Sequence, residues 1–487
     1  MTEEPRFQRE KKIAQHCLLI VEGLILFIIT IAFWYHIDPN QTLRDGWFWL
    51  LWMAVPVFLV RLKLFGYLWT PTPLHNLLII FILLAAFNFN QALYSRESFL
   101  AVMARPLLGM WIYIYLVELT KTTKNLKAVI VITLGMTFCL AILALTASQW
   151  LETKTGVLWS MIEILPRFDY RATATAIEGR YCSPLIDMVH SYRCFNPGIM
   201  LRNSLLSFNV NEVAGALSWM IPVMAGLAFI PYKDKDSQNF WLIIRFIASI
   251  LFVLLLIALI FGQSRFAILG VFSTLILGVI IFIPSKTWRY ATLGLIAVVI
   301  LIQAGILFNV FTPTSDTGID TTETAVGLSG RDSNSVATRI AIWQSSLQMM
   351  LDRPLSGVGM YMFRTAVSRE PYQIEYYVEN NIPSPPHAHN EWLNIGAEMG
   401  VLGLLVYVSW QLSIIYMVWY GWKNGDKQMK VVALASFGGL LAHAIYGLGD
   451  TIALWDRFQF ILWWVVGLVG AQYVLAQIQS TENEKML

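Results

Sequence analysis

The chain has 487 residues, of which 57% are hydrophobic, 14% aromatic and 13% charged. Soluble domains carry roughly 25% charged residues, and a soluble particle of this size has too little interior to hide so much apolar surface. The composition therefore indicates a polytopic membrane protein and excludes a disordered chain, a collagen-like repeat and a small disulfide scaffold. A net charge of +3, from 34 basic and 31 acidic residues, is too small over this length for a nucleic-acid-binding surface.

A helix crosses a hydrocarbon core with about 20 apolar residues. Runs of that kind predict spans at 17–35, 46–60, 75–93, 98–119, 128–148, 209–230, 240–261, 266–283, 291–310, 394–420, 429–448 and 455–478, about twelve in all. The expected fold is all-α, with five spans in 1–148, an outer loop at 149–208, four spans in 209–310, a large outer loop at 311–393, and three spans in 394–487. The aromatic, proline-bearing stretch 61–74 remains ambiguous. The first span exceeds a signal-peptide core and meets no small-residue cleavage site before Tyr35 and His36, so it reads as an uncleaved anchor.

Orientation follows the distribution of Lys and Arg in short loops. The N-terminus carries Arg6, Arg9, Lys11 and Lys12. Alternate turns carry Arg61/Lys63, Lys121/Lys124/Lys127, Lys233/Lys235, Lys286/Arg289 and Lys423/Lys427/Lys430. Counting twelve spans puts all of these on one side, so both termini are expected in the cytoplasm and both long loops outside, where the chemistry is expected too. Cys182 and Cys194 fall in the first outer loop, whereas Cys17 and Cys139 fall inside spans. A Cys182–Cys194 disulfide suits an oxidising compartment, with two unrelated thiols as the alternative. Segment 312–335 is polar and reads as a mobile stretch or lid. Segment 352–393, with Tyr361, Phe363, Tyr372, Tyr376, Tyr377 and Trp392, reads as folded structure at the membrane surface.

The second outer loop ends in Pro385-Pro386-His387-Ala388-His389-Asn390-Glu391-Trp392, directly before the tenth span. Histidine titrates near neutrality and serves as a general base, but two interfacial histidines capping a helix fit the same pattern. His387 and His389 with Glu391 also alternate metal-ligand types, although an i, i+2 pair converges only in extended backbone and no firm third ligand is near in sequence. Arg265 occupies the tight turn Gln263-Ser264-Arg265 on the outer side, against the positive-inside bias. It either snorkels or faces an anion. Arg331 and Arg339 lie in the second outer loop, and a guanidinium suits bidentate phosphate binding. Arg105, Glu22 and Asp450 are ionisable groups within or at the ends of spans, each facing a cavity or a structural partner. Asp234-Lys235-Asp236 matches an Asp-x-Asp pattern by chance, and no phosphate-binding loop or dinucleotide fingerprint is present.

These residues resemble the O-antigen ligase family, whose broader membership includes O-antigen polymerases and protein O-oligosaccharyltransferases. His389-Asn390, followed nine residues later by Gly400-Val401-Leu402-Gly403, is similar to the His-Asn-x9-Gly-x-x-Gly signature. Asn209-Val210-Asn211-Glu212-Val213-Ala214 resembles Asn-Pro-Asn-x-x-Ala, with Val210 replacing Pro. Gln263-Ser264-Arg265 resembles a Thr-x-Ser-Arg turn, and Arg339 with Trp343, then Pro354-Leu355-Ser356-Gly357-Val358-Gly359, resembles Arg-x3-Trp and Pro-Leu-x-Gly-x-Gly. The resemblance runs from about 203 to 470. It implies a GT-C-like, all-helical membrane glycosyltransferase that takes a glycan from undecaprenyl diphosphate and transfers it to a glycan, lipid A-core or protein acceptor. It implies neither nucleotide nor metal nor other cofactor, and a bacterial inner membrane with a periplasmic site. It carries the base role onto His389 and phosphate roles onto Arg265 and Arg339. His387, Arg331, Asp450 and Arg105 are supporting candidates, and Tyr376 and Tyr377 are candidates for stacking on sugars. A lipid-linked-glycan transporter or flippase, and a non-catalytic scaffold for polysaccharide export, are the competing expectations.

Overall fold

The computed structural model describes residues 6–35, 46–92, 99–146, 149–151, 167–169, 210–232, 235–262, 264–282, 330–379, 384–452, 454, 456 and 458–486. The span expected at 291–310, the lid expected at 312–335 up to residue 329, and the Cys182–Cys194 pair lie outside the described residues.

The described chain is helical almost throughout, as expected. The N-terminal group comprises α1 (Arg6–Tyr35), α2 (Gly46–Phe65), α3 (Pro73–Asn90), α4 (Phe99–Leu119) and α5 (Thr123–Thr146). A small antiparallel hairpin in the first long loop pairs β1 (Gln149–Leu151) with β2 (Arg167–Asp169). Then come α6 (Val210–Ala228), α7 (Lys235–Gly262), α8 (Arg265–Phe282), α9 (Gly330–Asp352) and the short α10 (Phe363–Ala366) and α11 (Glu375–Glu379). Finally α12 (Glu391–Asn424), α13 (Lys427–Tyr446) and α14 (Gln459–Met486) complete the bundle. Among the described residues, seven helices are long and apolar enough to cross a membrane: α1, α3, α5, α7, α12, α13 and α14. This is a multi-pass membrane protein. The other predicted spans within the described residues are also helical, α8 being a shorter apolar helix.

Local signals explain the helix limits. Pro73 opens α3 at a position whose N–H has no intrahelical partner, and the Thr72 N–H donates to His75 Nδ1 at 3.0 Å. Asp426 caps α13 by accepting the Met429 N–H at 2.8 Å.

Close helix contacts run through small residues, as expected where lipid removes any hydrophobic drive between helices. A Cβ on Gly439 of α13 would stand 2.2 Å from the Trp219 carbonyl of α6, and one on Gly270 of α8 would stand 2.2 Å from the Ala442 carbonyl of α13. Helix α13 is thus clasped between α6 and α8. Helix α14 forms the centre, with 89% of its apolar window buried and both Trp463 and Trp464 fully enclosed. It packs on α4, α12 and α13.

The place of Arg61 corrects the reading of the loops. Counted with Lys63 as a loop cation, it belongs to the last turns of α2 and is buried. Its guanidinium donates twice to Glu22 of α1, at 2.8 Å each, and pairs with Glu118 of α4. Lys121 reaches the same Glu118 at 2.6 Å. Glu22 and Glu118 with Arg61 and Lys121 form a charge-balanced cluster that ties three helices together, so Glu22 has the structural partner weighed for it.

Candidate active site

The site begins with a helix cap. Asn390, itself extended, is the cap of α12, and its Oδ1 accepts the Leu393 N–H at 3.0 Å. Its Nδ2 donates to the Leu448 carbonyl at 3.1 Å, and the Glu391 N–H donates to the Gly447 carbonyl at 2.8 Å. Asn394 adds a bond from the Ala388 N–H to its Oδ1 at 3.0 Å. One dipeptide therefore both starts α12 and stitches it to the turn that follows α13. That turn ends in Asp450.

The stitching brings together residues 61 positions apart: His389 Nδ1 lies 3.0 Å from Asp450 Oδ1. His389 has φ 49°, the left-handed region, uncommon for a residue with a side chain. The rings of His387 and His389 meet edge to face with centroids 4.6 Å apart, and the His389 N–H donates to His387 Nδ1 at 3.3 Å. One ligand-type atom from each of His387, His389 and Asp450 lies within 4.8 Å of the others. Asp450 is buried, which opposes ionisation, but His389, then His387 and Arg339, outweigh that and hold its carboxyl well below the usual carboxylate range. As an ionised carboxylate it only accepts, so the proton in this contact is on His389 Nδ1. For His387, burial dominates, followed by the charge of His389, and its pKa is pushed down to about 4. His387 is thus neutral at pH 7.

Glu391 is not the third member of this group. Burial in α12 turns it inward, where Tyr407 Oη donates to Oε1 at 2.7 Å and His443 Nε2 lies 3.7 Å from Oε2. His443 in turn stacks on Trp219 with centroids 3.8 Å apart. Glu391 and Asn394 also line a small pocket with Ile395, Met399, Thr451, Ile452 and Leu454.

Two glycine motifs explain how Arg339 is placed. Helix α12 breaks at Gly400, whose φ 70° and ψ −171° suit only glycine. The break frees the Val401 N–H to bond the Pro354 carbonyl at 2.7 Å, while Val358 and Gly359 donate to the carbonyls of Ala397 and Glu398 at 2.9 and 3.1 Å. The Pro-Leu-x-Gly-x-Gly loop thus lies backbone to backbone against the α12 kink. Asn88 of α3 closes the joint: its amide donates to the carbonyls of Ser356 and Glu398 and accepts the Met360 N–H. The loop follows α9 directly, so α9 is held against α12. Arg339 on α9 acts electrostatically on His387, Asp450 and Tyr377.

The remaining candidates divide. Arg265 is exposed at the start of α8, and its neighbour Phe266 covers Gly449, the neighbour of Asp450: a Cβ on Gly449 would stand 2.1 Å from that ring. Tyr376 and Tyr377 meet edge to face at 5.5 Å on α11. Arg331 lies in the first turn of α9, but its side chain is outside the described residues. Arg105 is on α4, where its carbonyl accepts from Gln459 Nε2 of α14 at 2.8 Å. Glu212, in the first turn of α6, acts on His387 and Tyr446. The sequence pattern contained Glu212 without marking it, and Asn88 carried no sequence signal at all.

Comparison with known proteins adds one family. Residues 250–408 match the family model described as O-antigen ligase. This stretch contains Arg265, Arg339, His387, His389 and Gly400, while Asp450 lies beyond it. Over 132 residues the chain is 26% identical to "Putative polysaccharide ligase" of Rickettsia conorii, covering 27% of this chain and 29% of that protein. It is 30% identical over 132 residues to the protein of the same description from Rickettsia prowazekii, covering 27% and 30%. The chain thus matches less than a third of the length of these curated relatives.

Proposed function

We propose that this protein, whose residues 250–408 match the O-antigen ligase family, is a membrane glycosyltransferase moving a glycan from undecaprenyl diphosphate to an acceptor hydroxyl. The reaction belongs on the periplasmic face of a bacterial inner membrane, with both termini cytoplasmic, and uses no nucleotide, metal or other cofactor. The acceptor is another glycan, lipid A-core or a protein.

The observation that carries this reading is the His389–Asp450 contact of 3.0 Å at the start of a spanning helix. A carboxylate on Nδ1 fixes the tautomer, orients the ring and stabilises the imidazolium that forms when Nε2 takes a proton. In the proposed step the acceptor oxygen attacks the anomeric carbon and its proton passes to His389 Nε2. The bond from that carbon to the diphosphate breaks, and the leaving group departs with the electron pair. A single displacement inverts the carbon. Arg339, whose charge already acts on His387 and Asp450, and Arg265 offset the charge on the diphosphate, where electrostatic stabilisation counts most. Arg331, Arg105 and His387 support binding, and Tyr376 and Tyr377 offer ring faces to sugars.

The test is transfer of a labelled glycan from its lipid diphosphate by purified protein. His389→Ala is expected to slow transfer by about 10²–10⁴-fold, the usual worth of a positioned base, with donor binding preserved. A rate near wild type removes His389 from the mechanism. With the lipid-linked glycan as the sole substrate, chain growth identifies a polymerase, and dependence on a second acceptor identifies a ligase.

A further inference from the structure

We propose that His387, His389 and Asp450 form a binding site for one divalent transition-metal ion, zinc foremost, and that the bound ion switches transfer off. The inhibitory half rests on the base role proposed for His389; the binding half does not.

Two imidazoles and a carboxylate are a ligand set that zinc accepts with one position left open. Their ligand atoms already lie within 4.8 Å of one another. Tetrahedral ligation at about 2.0–2.1 Å requires separations of roughly 3.3 Å, and the His389–Asp450 pair stands at 3.0 Å. Side-chain rotation of His387 supplies the rest. A second observation points to an additional ligand for the carboxylate: Asp450 is 3% exposed, yet its Oδ2 is buried without a hydrogen-bond partner. An orphaned carboxylate oxygen is costly unless something electropositive meets it. The site is open to ions, because the His389 side chain is 20% exposed.

The surroundings set the character of the site. Among the described residues, the charge of Arg339 opposes metal binding and that of Glu212 favours it, so occupancy is reversible and favours ions with strong imidazole affinity over magnesium or calcium. Glu391 is committed to Tyr407 and does not add a fourth ligand. On binding, the ion takes the place of the Nδ1 proton between His389 and Asp450, and in the neutral ring that proton passes through solvent to Nε2, with none released net. The coordinated ring then has its proton on Nε2, where the acceptor hydroxyl needs a lone pair.

The probe is Co²⁺ added to the purified full-length protein in detergent, with every cysteine replaced by serine to exclude thiolate sites. The expected result is the visible absorption of tetrahedral cobalt, saturating at one equivalent, displaced by Zn²⁺ and unaffected by Mg²⁺. His387→Ala and Asp450→Asn are each expected to weaken binding at least about tenfold, the lower bound even for outer partners of a metal site. His16→Ala, on the exposed face of α1, is expected to leave it unchanged. Wild-type protein without the cobalt signal, or an undiminished signal in folded Asp450→Asn, overturns the site. In the transfer assay, Zn²⁺ is expected to inhibit and a chelator to restore activity. Binding without inhibition overturns the inhibitory half and the base role together, whereas chelated protein that transfers but never binds cobalt overturns the metal site alone.

Discussion

Asp450→Asn is the sharpest probe of the site, because it changes one atom and almost no volume. In the wild type the carboxylate accepts the His389 Nδ1 proton at 3.0 Å and the Thr451 N–H at 2.9 Å. The asparagine keeps a carbonyl oxygen for Thr451 but loses the charge that favours imidazolium. A hydrogen bond to a charged group is worth about 1.5–3 kcal/mol, and each 1.36 kcal/mol is tenfold in rate. The charge alone therefore accounts for about one to two decades. If the amide donates to Nδ1 instead, the ring takes the tautomer with its proton on Nε2, and the whole contribution of the base, about 10²–10⁴-fold, is lost. The expected outcome is a kcat lowered at least about tenfold with donor KM near wild type, and partial recovery in Asp450→Glu. The assay is glycan transfer under chelator, paired with thermal unfolding to show that the variant is folded. A folded Asp450→Asn protein within about twofold of wild-type kcat refutes the coupling of these two side chains.

Gly400→Ala places a Cβ 2.4 Å from the Pro354 carbonyl in a backbone region reserved for glycine; thermal unfolding is expected to show a loss of at least about 1–3 kcal/mol, and an unchanged melting point removes the kink from the architecture. Arg61→Ala leaves Glu22 and Glu118 buried without their shared counter-charge, with an expected loss of about 3–5 kcal/mol in unfolding measured in detergent. For pH, the folded pKa of His387 is about 4 against about 6.5 unfolded. The unfolded chain takes up this proton first, so stability falls as pH drops from about 6.5 and levels off below about 4, by roughly 3 kcal/mol at most. Melting temperature followed across that range in chelator is expected to flatten in His387→Gln, and an identical slope in the variant assigns the pH dependence elsewhere.

Much of the fold was legible because spanning helices obey a length and a polarity rule that each segment satisfies by itself. The predicted spans within the described residues coincide with helices for that reason. The His-Asn and glycine motifs were legible as patterns, but their purpose is visible only in three dimensions: Asn390 caps one helix and holds the next, and Gly400 breaks a helix so that a distant loop lies against it. The third member of the histidine group was misplaced. Spacing suggested Glu391, yet the helix starts there and turns that carboxylate inward, while Asp450 arrives from the end of another helix. Arg61 was misread for a related reason, since the positive-inside rule treats each cation as solvated, and nothing local to α2 announces Glu22 or Glu118 as its partners.

The seam between Asn390 and Leu448 has a mechanical consequence. The imidazole belongs to the beginning of one membrane rod and its carboxylate to the finish of the next, and the Asn390 side-chain bond and the Glu391–Gly447 main-chain bond weld those two tips together. When a thicker or thinner bilayer makes the rods lean, both tips travel as one piece. A change of lipid therefore shifts the weld as a unit and leaves the spacing between the two groups as it was.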